Sequence, residues 1–242
     1  MSDASVMQRP QSSHDSATRL KLMDAAERLF AESGIEAISL NRITREADQR
    51  NASALQYHFG SKMELVRAIF ARRMQGINHR RLQLLDGVDE RKRVAAMCRV
   101  GQALVLPLAE QLDQGEGGRN YVRFASQVYA DPRIDMFELV RGQHDEGVRQ
   151  VTRLVLSLLK NLPPEVARQR LSFVSSLFIH ALAERARTLS HENRVPGDGE
   201  ISALASNLID VVVAMLSCPA SEETRTQFSG TTITRSTRKG HR

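Results

Sequence analysis

The chain contains 242 residues, 41% of them hydrophobic, and its 34 Lys and Arg residues against 28 Asp and Glu residues give a net charge of +6. This length suits a small head domain joined to a larger body that buries a real core. No apolar run reaches the roughly 20 residues that cross a bilayer, the first residues lack an apolar signal region, and Cys98 and Cys218 are too few for a disulfide framework or a zinc knuckle. We therefore expect a soluble protein of the reducing cytoplasm. The positive charge favours a polyanionic partner only weakly, because much of the excess lies in the C-terminal tail.

Residues 1–17 are rich in Ser, Asp and Gln, and we expect them to form a disordered tail. The first helix is predicted to begin at Ser16 or Thr18, either of which can cap it, and to end near Ser33. Apolar residues recur at helical spacing through this segment, at Leu22, Ala26, Leu29 and Phe30. Gly34 follows at the position where a left-handed residue typically ends a helix.

The segment from Ser39 to Glu64 has the pattern of a helix-turn-helix. Ser39 is a good N-cap for the first of its helices, which ends near Ala47. The second helix is predicted over residues 52–59, after the turn DQRN, with Asn51 as its N-cap. The apolar inner side consists of Ile43, Ala47, Leu55 and Phe59. A helix pair with so small a core needs a supporting helix on each side, and the outer face of its second helix then suits a DNA major groove.

The outward side chains of this segment differ in what they can contact. Gln56 carries the donor and acceptor pair that reads adenine in the major groove. Tyr57, His58 and Lys62 suit phosphate contacts, which fix position without reading sequence; an ordinary solvated lysine is the alternative for Lys62. His58 has no Cys or second His at ligand spacing, so we expect no metal there.

The block LMDAAERLFAESGIEAISLNRITREADQRNASALQYHFGSKMELVRAIF resembles the DNA-binding head of the TetR family of bacterial transcriptional regulators. Its most specific part is YHFGSK, from Tyr57 to Lys62. The resemblance covers roughly residues 17–75 and implies contacts with the DNA backbone or groove, with Gln56 and Tyr57 facing DNA and His58 and Lys62 holding phosphates. The residues that it implicates are Ser39, Arg50, Asn51, Ser53, Gln56, Tyr57, His58 and Lys62.

This chain departs from the commonest members of that family at the turn. It has Asp48 where they have Gly, and its turn is one residue longer. Asp tolerates left-handed backbone better than most residues, so Asp48 is compatible with the turn. The extra residue leaves the register of the base contacts between Gln49 and Ser53 open.

A fourth helix is predicted to begin after Ser61, which forms an S-x-x-E capping box with Glu64. The body, residues 76–218, reads as helical throughout, with no alternating strand pattern. Within it, the glycine-rich residues 115–118 are predicted to form a loop, and a long helix is expected over residues 132–162 after the N-cap Asp131. Two further helices are expected over residues 164–191 and 201–216. The basic tail, residues 219–242, has too few large apolar residues to fold alone.

The last two long helices are apolar over more than one face. In the TetR family such helices commonly form a four-helix bundle with a second subunit, and the resemblance therefore implies a homodimer. The expected interface residues are Leu171, Val174, Phe178, Leu182, Leu204, Leu208 and Val212. A buried hairpin within one chain is the alternative.

By the family's pattern, an inducer binds inside the helical body and changes the spacing of the two heads. The candidate pocket residues are Leu104, Leu106, Tyr121, Arg123, Phe124, Tyr129, Phe137, Arg141, His144 and Phe178. Plain core packing is the alternative for the apolar members of this set. A metal site at His144, Asp145 and Glu146 is disfavoured, because neighbours on a helix point about 100 degrees apart and cannot grip one ion together.

The sequence therefore predicts an all-α protein with a three-helix helix-turn-helix head over residues 18–75 and a ligand-binding and dimerisation body over residues 76–218. We expect a cytoplasmic, homodimeric transcriptional regulator, a repressor that a small molecule releases from its double-stranded DNA operator. A lipophilic inducer is one option that suits the apolar body. Catalytic residues, cofactors and membrane contact are not expected, since the chain has no glycine-rich phosphate loop, nucleophile elbow or HExxH motif.

Two alternatives remain open at this point. One is a helical ligand-binding or catalytic protein whose head no longer binds DNA, and the other is an architectural protein that binds any duplex.

Overall fold

The computed structural model of the protein describes residues 11–49, 53–135, 138–139, 141–142 and 144–229. Every regular element in those ranges is helical, which confirms the predicted all-α class. The helices are α1 (Gln11–Ser33), α2 (Leu40–Glu46), α3 (Ala54–Phe59), α4 (Lys62–Leu85), α5 (Arg93–Ala109), α6 (Gly115–Ala130), α7 (Glu146–Leu158), α8 (Pro164–His191), α9 (Glu200–Ser217) and α10 (Glu222–Ser229). A 3-10 turn, Glu110–Asp113, joins α5 to α6.

The head consists of α1, α2, α3 and the first half of α4. Its core combines the apolar stripe of α1 with the inner sides of the two short helices, and fully buried members include Leu22, Leu29, Phe30, Ile43, Leu55, Leu65 and Ile69. Because α1 and α4 flank the short pair, they supply the support that the pair cannot provide for itself. The first helix begins at Gln11, earlier than predicted, so the end of the expected tail is helical. Residues 1–10 lie outside the described ranges.

Helix α6 connects the head to the body, since it packs against α1 on one side and α8 on the other. An aromatic cluster marks this junction. The ring of Phe30 on α1 stacks with that of Phe124 on α6 at 6.1 Å between centroids. Phe70 on α4 lies 6.0 Å from both Tyr121 and Phe124. Four rings from three helices therefore form one continuous core between head and body.

Two predictions about the body are wrong. The glycine-rich residues 115–118 are the first turn of α6 and not a loop. The single long helix over residues 132–162 is absent from the described residues: α7 begins only at Glu146. Asp131 explains the break, because its carboxylate accepts hydrogen bonds from both the backbone N–H (3.0 Å) and the guanidinium (2.9 Å) of Arg133 and holds the chain in a turn.

The C-terminal region also differs from expectation. A further helix, α10, follows Pro219, and Ser221 begins it by accepting a hydrogen bond from the backbone N–H of Thr224 at 3.2 Å. Phe228 packs partly buried against the core. The expected unfolded tail is therefore wrong for residues 222–229, while residues 230–242 lie outside the described ranges.

Candidate nucleic-acid interface

Helix α2 is fixed at both ends by its own sequence. The Ser39 hydroxyl caps it by accepting a hydrogen bond from the backbone N–H of Arg42 at 3.2 Å. At the other end, Asp48 adopts a left-handed φ of 53°, as the sequence allowed. The N–H of Asp48 donates to the carbonyl of Arg45, and the N–H of Gln49 donates to that of Thr44, the two bonds of a Schellman C-cap. Asp48 therefore occupies the left-handed position that ends α2.

Helix α3 has one buried and one exposed side. Leu55 and Phe59 point into the head core, whereas Gln56 is exposed and the Tyr57 side chain is 76% exposed. This is the division that the sequence predicted. The helix starts later than expected, however, at Ala54 with Ser53 as the preceding residue. Arg50 and Asn51, the predicted N-cap, lie outside the described residues.

The end of α3 is held by a residue that the sequence did not single out. The Arg19 guanidinium on α1 donates to the backbone carbonyl of His58 at 3.1 Å and lies 4.4 Å above the centre of the Phe59 ring. A cation at a helix C-terminus satisfies a carbonyl and interacts favourably with the helix dipole. No spacing rule reveals this contact, because it joins residues far apart in the chain.

Gly60, with a φ of 72°, turns the chain from α3 into α4. The Ser61 hydroxyl then accepts a hydrogen bond from the backbone N–H of Glu64 at 3.1 Å, the first half of the predicted capping box. The carboxylate of Glu64 pairs with Arg67 at 2.6 Å.

Lys62 makes contacts that the sequence did not predict. Its ammonium group donates to the backbone carbonyls of Ile35 (3.0 Å) and Glu36 (3.3 Å), and so holds the loop between α1 and α2 against α4. His58 is half-buried, and its ring meets that of Tyr57 edge-on at 5.0 Å. Gln56 and Tyr57 are exposed, by contrast, as are the predicted contact residues Ser39 and Ser53.

The surface as a whole suits a polyanion with a groove. Arg42 and Arg45 on α2, the first helix of the helix-turn-helix, are exposed as well. The exposed amide and phenol of α3, together with the exposed guanidinium groups of α2, match the chemistry that reads base edges and holds phosphates.

Two family models match the chain. Residues 22–69 match "Bacterial regulatory proteins, tetR family", and residues 102–215 match "Tetracyclin repressor-like, C-terminal domain". The chain belongs to the TetR family of bacterial transcriptional regulators. Members of this family are DNA-binding transcription regulators with a helix-turn-helix head and a ligand-binding C-terminal domain, and the family is not one of enzymes.

Several solved structures are similar to this TetR-family chain. The fatty acid degradation regulator FadR from Bacillus halodurans has 14% identity and a TM-score of 0.47, over 83% of this chain and 98% of that one. FadR from Bacillus subtilis in complex with stearoyl-CoA has 14% identity and a TM-score of 0.47, over 81% and 98%. PfmR from Thermus thermophilus has 19% identity and a TM-score of 0.45, over 79% and 96%. No curated protein matches the chain.

The residues predicted to line a ligand pocket in this TetR-family body do not form one site. Leu104, Tyr121, Phe124 and Phe178 are buried in the core. Tyr129 is half-buried and donates its hydroxyl to the carbonyl of Ser172 at 3.2 Å. Arg141 and His144 are exposed: Arg141 pairs with Glu138 at 2.6 Å, and His144 lines a surface cleft of about 520 Å³ beside the head. Phe137 lies outside the described residues.

The predicted dimer residues also need correction. Val174, Phe178, Leu182, Leu208 and Val212 are buried inside the subunit, while Leu171 and Leu204 are half-buried. The physical reason is that α8 and α9 are apolar on two sides, and these residues belong to the side that packs against the subunit's own core.

The outer side of the same helices carries a different apolar set. Phe173 and Leu177 on α8 are 58% and 38% exposed, and Val211 on α9 is 39% exposed. Helix α9 has a mean hydropathy of 1.5 over 18 residues, with only 28% of that stretch buried. Helix α9 is long and apolar enough to cross a membrane, but a single helix of this kind is weak evidence for a membrane span. A helix that packs against a core on one side and a partner on the other has the same length and composition.

Proposed function

We propose that this TetR-family protein is a cytoplasmic homodimeric repressor that binds a two-fold symmetric DNA operator and is released by a small-molecule inducer bound in its helical body. The observation that carries the proposal is the division of α3, which anchors Leu55 and Phe59 in the head and exposes Gln56 and Tyr57. A helix anchored on one side and polar on the other is the form in which a helix-turn-helix presents its recognition helix.

The proposed DNA contacts combine the exposed side chains of the head with the residues that the family resemblance implicates. Gln56 reads adenine through its amide, and Tyr57 contacts a phosphate at the edge of the groove. Lys62 and His58 hold the phosphate backbone behind α3, and Lys62 also holds the loop before α2. Ser39 and Ser53 are further proposed contacts with the DNA backbone or groove, and the family resemblance adds Arg50 and Asn51, which lie outside the described residues.

The dimer forms through the outer face of α8 and α9. Phe173, Leu177 and Val211 give this face exposed apolar area that water solvates poorly, and a second copy of the chain covers it. Two recognition helices related by a two-fold axis then read two half-sites, which doubles the sequence information that one short helix collects.

Ligand binding in the body reaches the head through α6. The stacked rings of Phe30 and Phe124 and the contacts of Phe70 with Tyr121 leave little freedom for α6 to move without α1 and α4. A ligand that displaces α6 therefore changes the separation of the two heads and weakens operator binding.

Selection of bound duplexes from a random pool by the purified full-length chain tests the proposal. We expect enrichment of a two-fold symmetric motif, with affinity that falls as salt rises. Tyr57→Ala should weaken binding to the selected site at least about tenfold. Val94→Ala, at a side chain that is 80% exposed on α5, is the matched control and should bind as the wild type does.

Two outcomes would contradict the proposal. A folded protein that enriches no motif is instead a ligand-binding protein whose head does not bind DNA. Equal affinity for every duplex would indicate an architectural protein.

A further inference from the structure

Arg81 on α4 is a buried cation without an anionic partner. Its side chain lies between α4, α5 and the start of α7, and only 8% of the residue is exposed. Nε donates to the backbone carbonyl of Ala103 on α5 at 3.1 Å. Among the described residues Arg81 forms no ion pair, and its buried Nη1 atom has no hydrogen-bond partner. The Nη1 group of the guanidinium is therefore left without a hydrogen-bond acceptor among these residues.

Two further donors lie near this guanidinium. Asn78, one turn earlier on α4, is buried and accepts a hydrogen bond from the N–H of Gly147 at 2.7 Å through Oδ1, so its amide nitrogen is the donor that this side chain can offer. The Tyr121 hydroxyl on α6 interacts electrostatically with Arg81. Burial first, and then the charge of Glu27, raise the pKa of Tyr121, so its hydroxyl stays protonated and is a donor at neutral pH.

The start of α7 packs directly against Asn78 and Arg81. A Cβ on Gly147 would lie 2.7 Å from Asn78 Oδ1 and 3.1 Å from Arg81 Cδ, so only glycine fits there unchanged. The first turn of a helix carries a partial positive charge. The positive end of α7 therefore adds to the charge of Arg81 instead of compensating it.

The electrostatics of this cluster call for an anion. Burial lowers the pKa of Arg81 to about 10, which still leaves the guanidinium charged at neutral pH. An isolated buried ion costs several kcal/mol, and proteins usually compensate it with a buried carboxylate. The described chain supplies none to Arg81, and its planar fork matches the two oxygens of a carboxylate.

We propose that Arg81 binds the carboxylate of the small-molecule inducer, with Asn78 and Tyr121 as additional donors. The inducer is then a carboxylic acid, and the surroundings of Arg81, which include the buried rings of Phe70 and Phe124 at 6.0 and 6.4 Å from that of Tyr121, favour an apolar one. This inference rests on the proposed function, since it assigns the chemistry of the inducer of that repressor.

Calorimetric melting of the full-length protein tests the site. The probes are benzoate, phenylacetate, octanoate and decanoate, each compared with its uncharged primary amide. We expect at least one carboxylate to raise the Tm of the wild type while its amide does not. Arg81→Met should weaken binding of that carboxylate at least about tenfold; it also removes the hydrogen bond to the Ala103 carbonyl, whose helical donor is missing because residue 107 is proline. Arg80→Met, on the same helix but on the exposed side where Arg80 pairs with Glu110, is the matched control and should bind the carboxylate normally.

Three results would overturn the site: no carboxylate in the series stabilises the wild type, acid and amide stabilise it equally, or Arg81→Met binds the acid as tightly as the wild type. Should Arg81→Met fail to fold, side-chain NMR of arginine-labelled wild type replaces it, because the acid should shift one buried guanidinium signal. Calorimetry involves no DNA, so failure here is distinct from failure to select an operator. A protein that selects an operator but ignores carboxylates is a repressor without this site.

Discussion

The carboxylate of Glu27 on α1 accepts hydrogen bonds from the Arg73 guanidinium on α4 through both of its oxygens, at 3.0 and 2.5 Å. Arg73 also donates to the backbone carbonyl of Gly117 on α6 at 3.1 Å. One guanidinium therefore connects both long helices of the head to the first turn of the helix that joins it to the body. This junction is polar, with a buried Glu27 carboxylate and a partly exposed Arg73 side chain, and it lies beside the aromatic junction, since the Arg73 guanidinium is 5.5 Å from the centre of the Tyr121 ring.

Glu27→Gln should destabilise the protein by about 3 kcal/mol, because Glu27 is 3% exposed and its loss leaves two guanidinium groups, Arg72 and Arg73, without their shared anion. Urea denaturation measures the change. Asp24→Asn is the matched control: Asp24 pairs with the same Arg72 at 2.7 Å but is 67% exposed, so its loss should cost under about 1 kcal/mol. Equal changes in the free energy of unfolding for the two substitutions would show that burial of Glu27 does not make its ion pairs more stabilising than the exposed pair of Asp24.

Gly118→Ala should cost about 3 kcal/mol or more, since a Cβ there would lie 2.0 Å from the backbone carbonyl oxygen of Gln111, which cannot rotate away. Gly76→Ala provides the opposite case. Gly76 lies inside α4, and a Cβ at this position would have no atom within 4 Å. Because alanine has a higher helix propensity than glycine, Gly76→Ala should stabilise the protein by about 0.5–1 kcal/mol. The two urea midpoints should move in opposite directions, and a stable Gly118→Ala variant would contradict the close packing of α6 against the preceding turn.

The helix-turn-helix could be predicted from sequence because its signals are local. Ser39 and Ser61 cap their helices as predicted, and Asp48 takes the left-handed turn position. The alternation of Leu55 and Phe59 with Gln56 and Tyr57 assigns the faces of α3 by helical period alone. Family membership, which rests on the same residues, was predictable for the same reason.

The structure of the body was harder to predict, because it depends on contacts between residues that are distant in sequence. Gly118 reads as a loop residue, yet it is needed where α6 approaches Gln111. Val174 and Phe173 on α8 are both apolar, and the sequence does not show which of them the subunit's own core covers. Arg81 reads as one more charged residue on a helix, and only packing against α5 and α7 makes it a buried cation.

The pKa of Asp131 is lowered to about 2, first by its hydrogen bond from the Arg133 side chain and then by that from the Arg133 backbone N–H. Since the pKa is lower in the folded state, the pair stabilises the protein above about pH 4, and this contribution is lost as the pH falls towards about 2. Arg133→Ala should raise the Asp131 pKa partway to its ordinary value, as followed by carboxyl NMR. Glu36→Gln removes the other partner of Arg133, 2.9 Å away, and should leave the Asp131 pKa low.

Phe173→Glu should convert the protein to a monomer in sedimentation at concentrations where the wild type is dimeric, because a charge at the centre of an apolar interface is left unpaired. Phe173 is 58% exposed in the subunit, so the subunit itself should remain folded. Val94→Glu, at a residue 80% exposed on α5, should leave the dimer intact. A dimeric Phe173→Glu protein would place the interface elsewhere.

Lys62→Met should have two separate effects, since the ammonium group holds backbone carbonyls and is also proposed to hold a phosphate. Loss of the bonds to Ile35 and Glu36 should lower the free energy of unfolding by about 1–2 kcal/mol. Loss of a phosphate contact should reduce the slope of log K against log salt, measured on the selected operator, by about 1. Lys21→Met, on the exposed side of α1, should change neither quantity. A destabilised Lys62→Met protein with an unchanged salt slope would make Lys62 a structural residue of the head and leave Tyr57 and His58 as the proposed phosphate contacts.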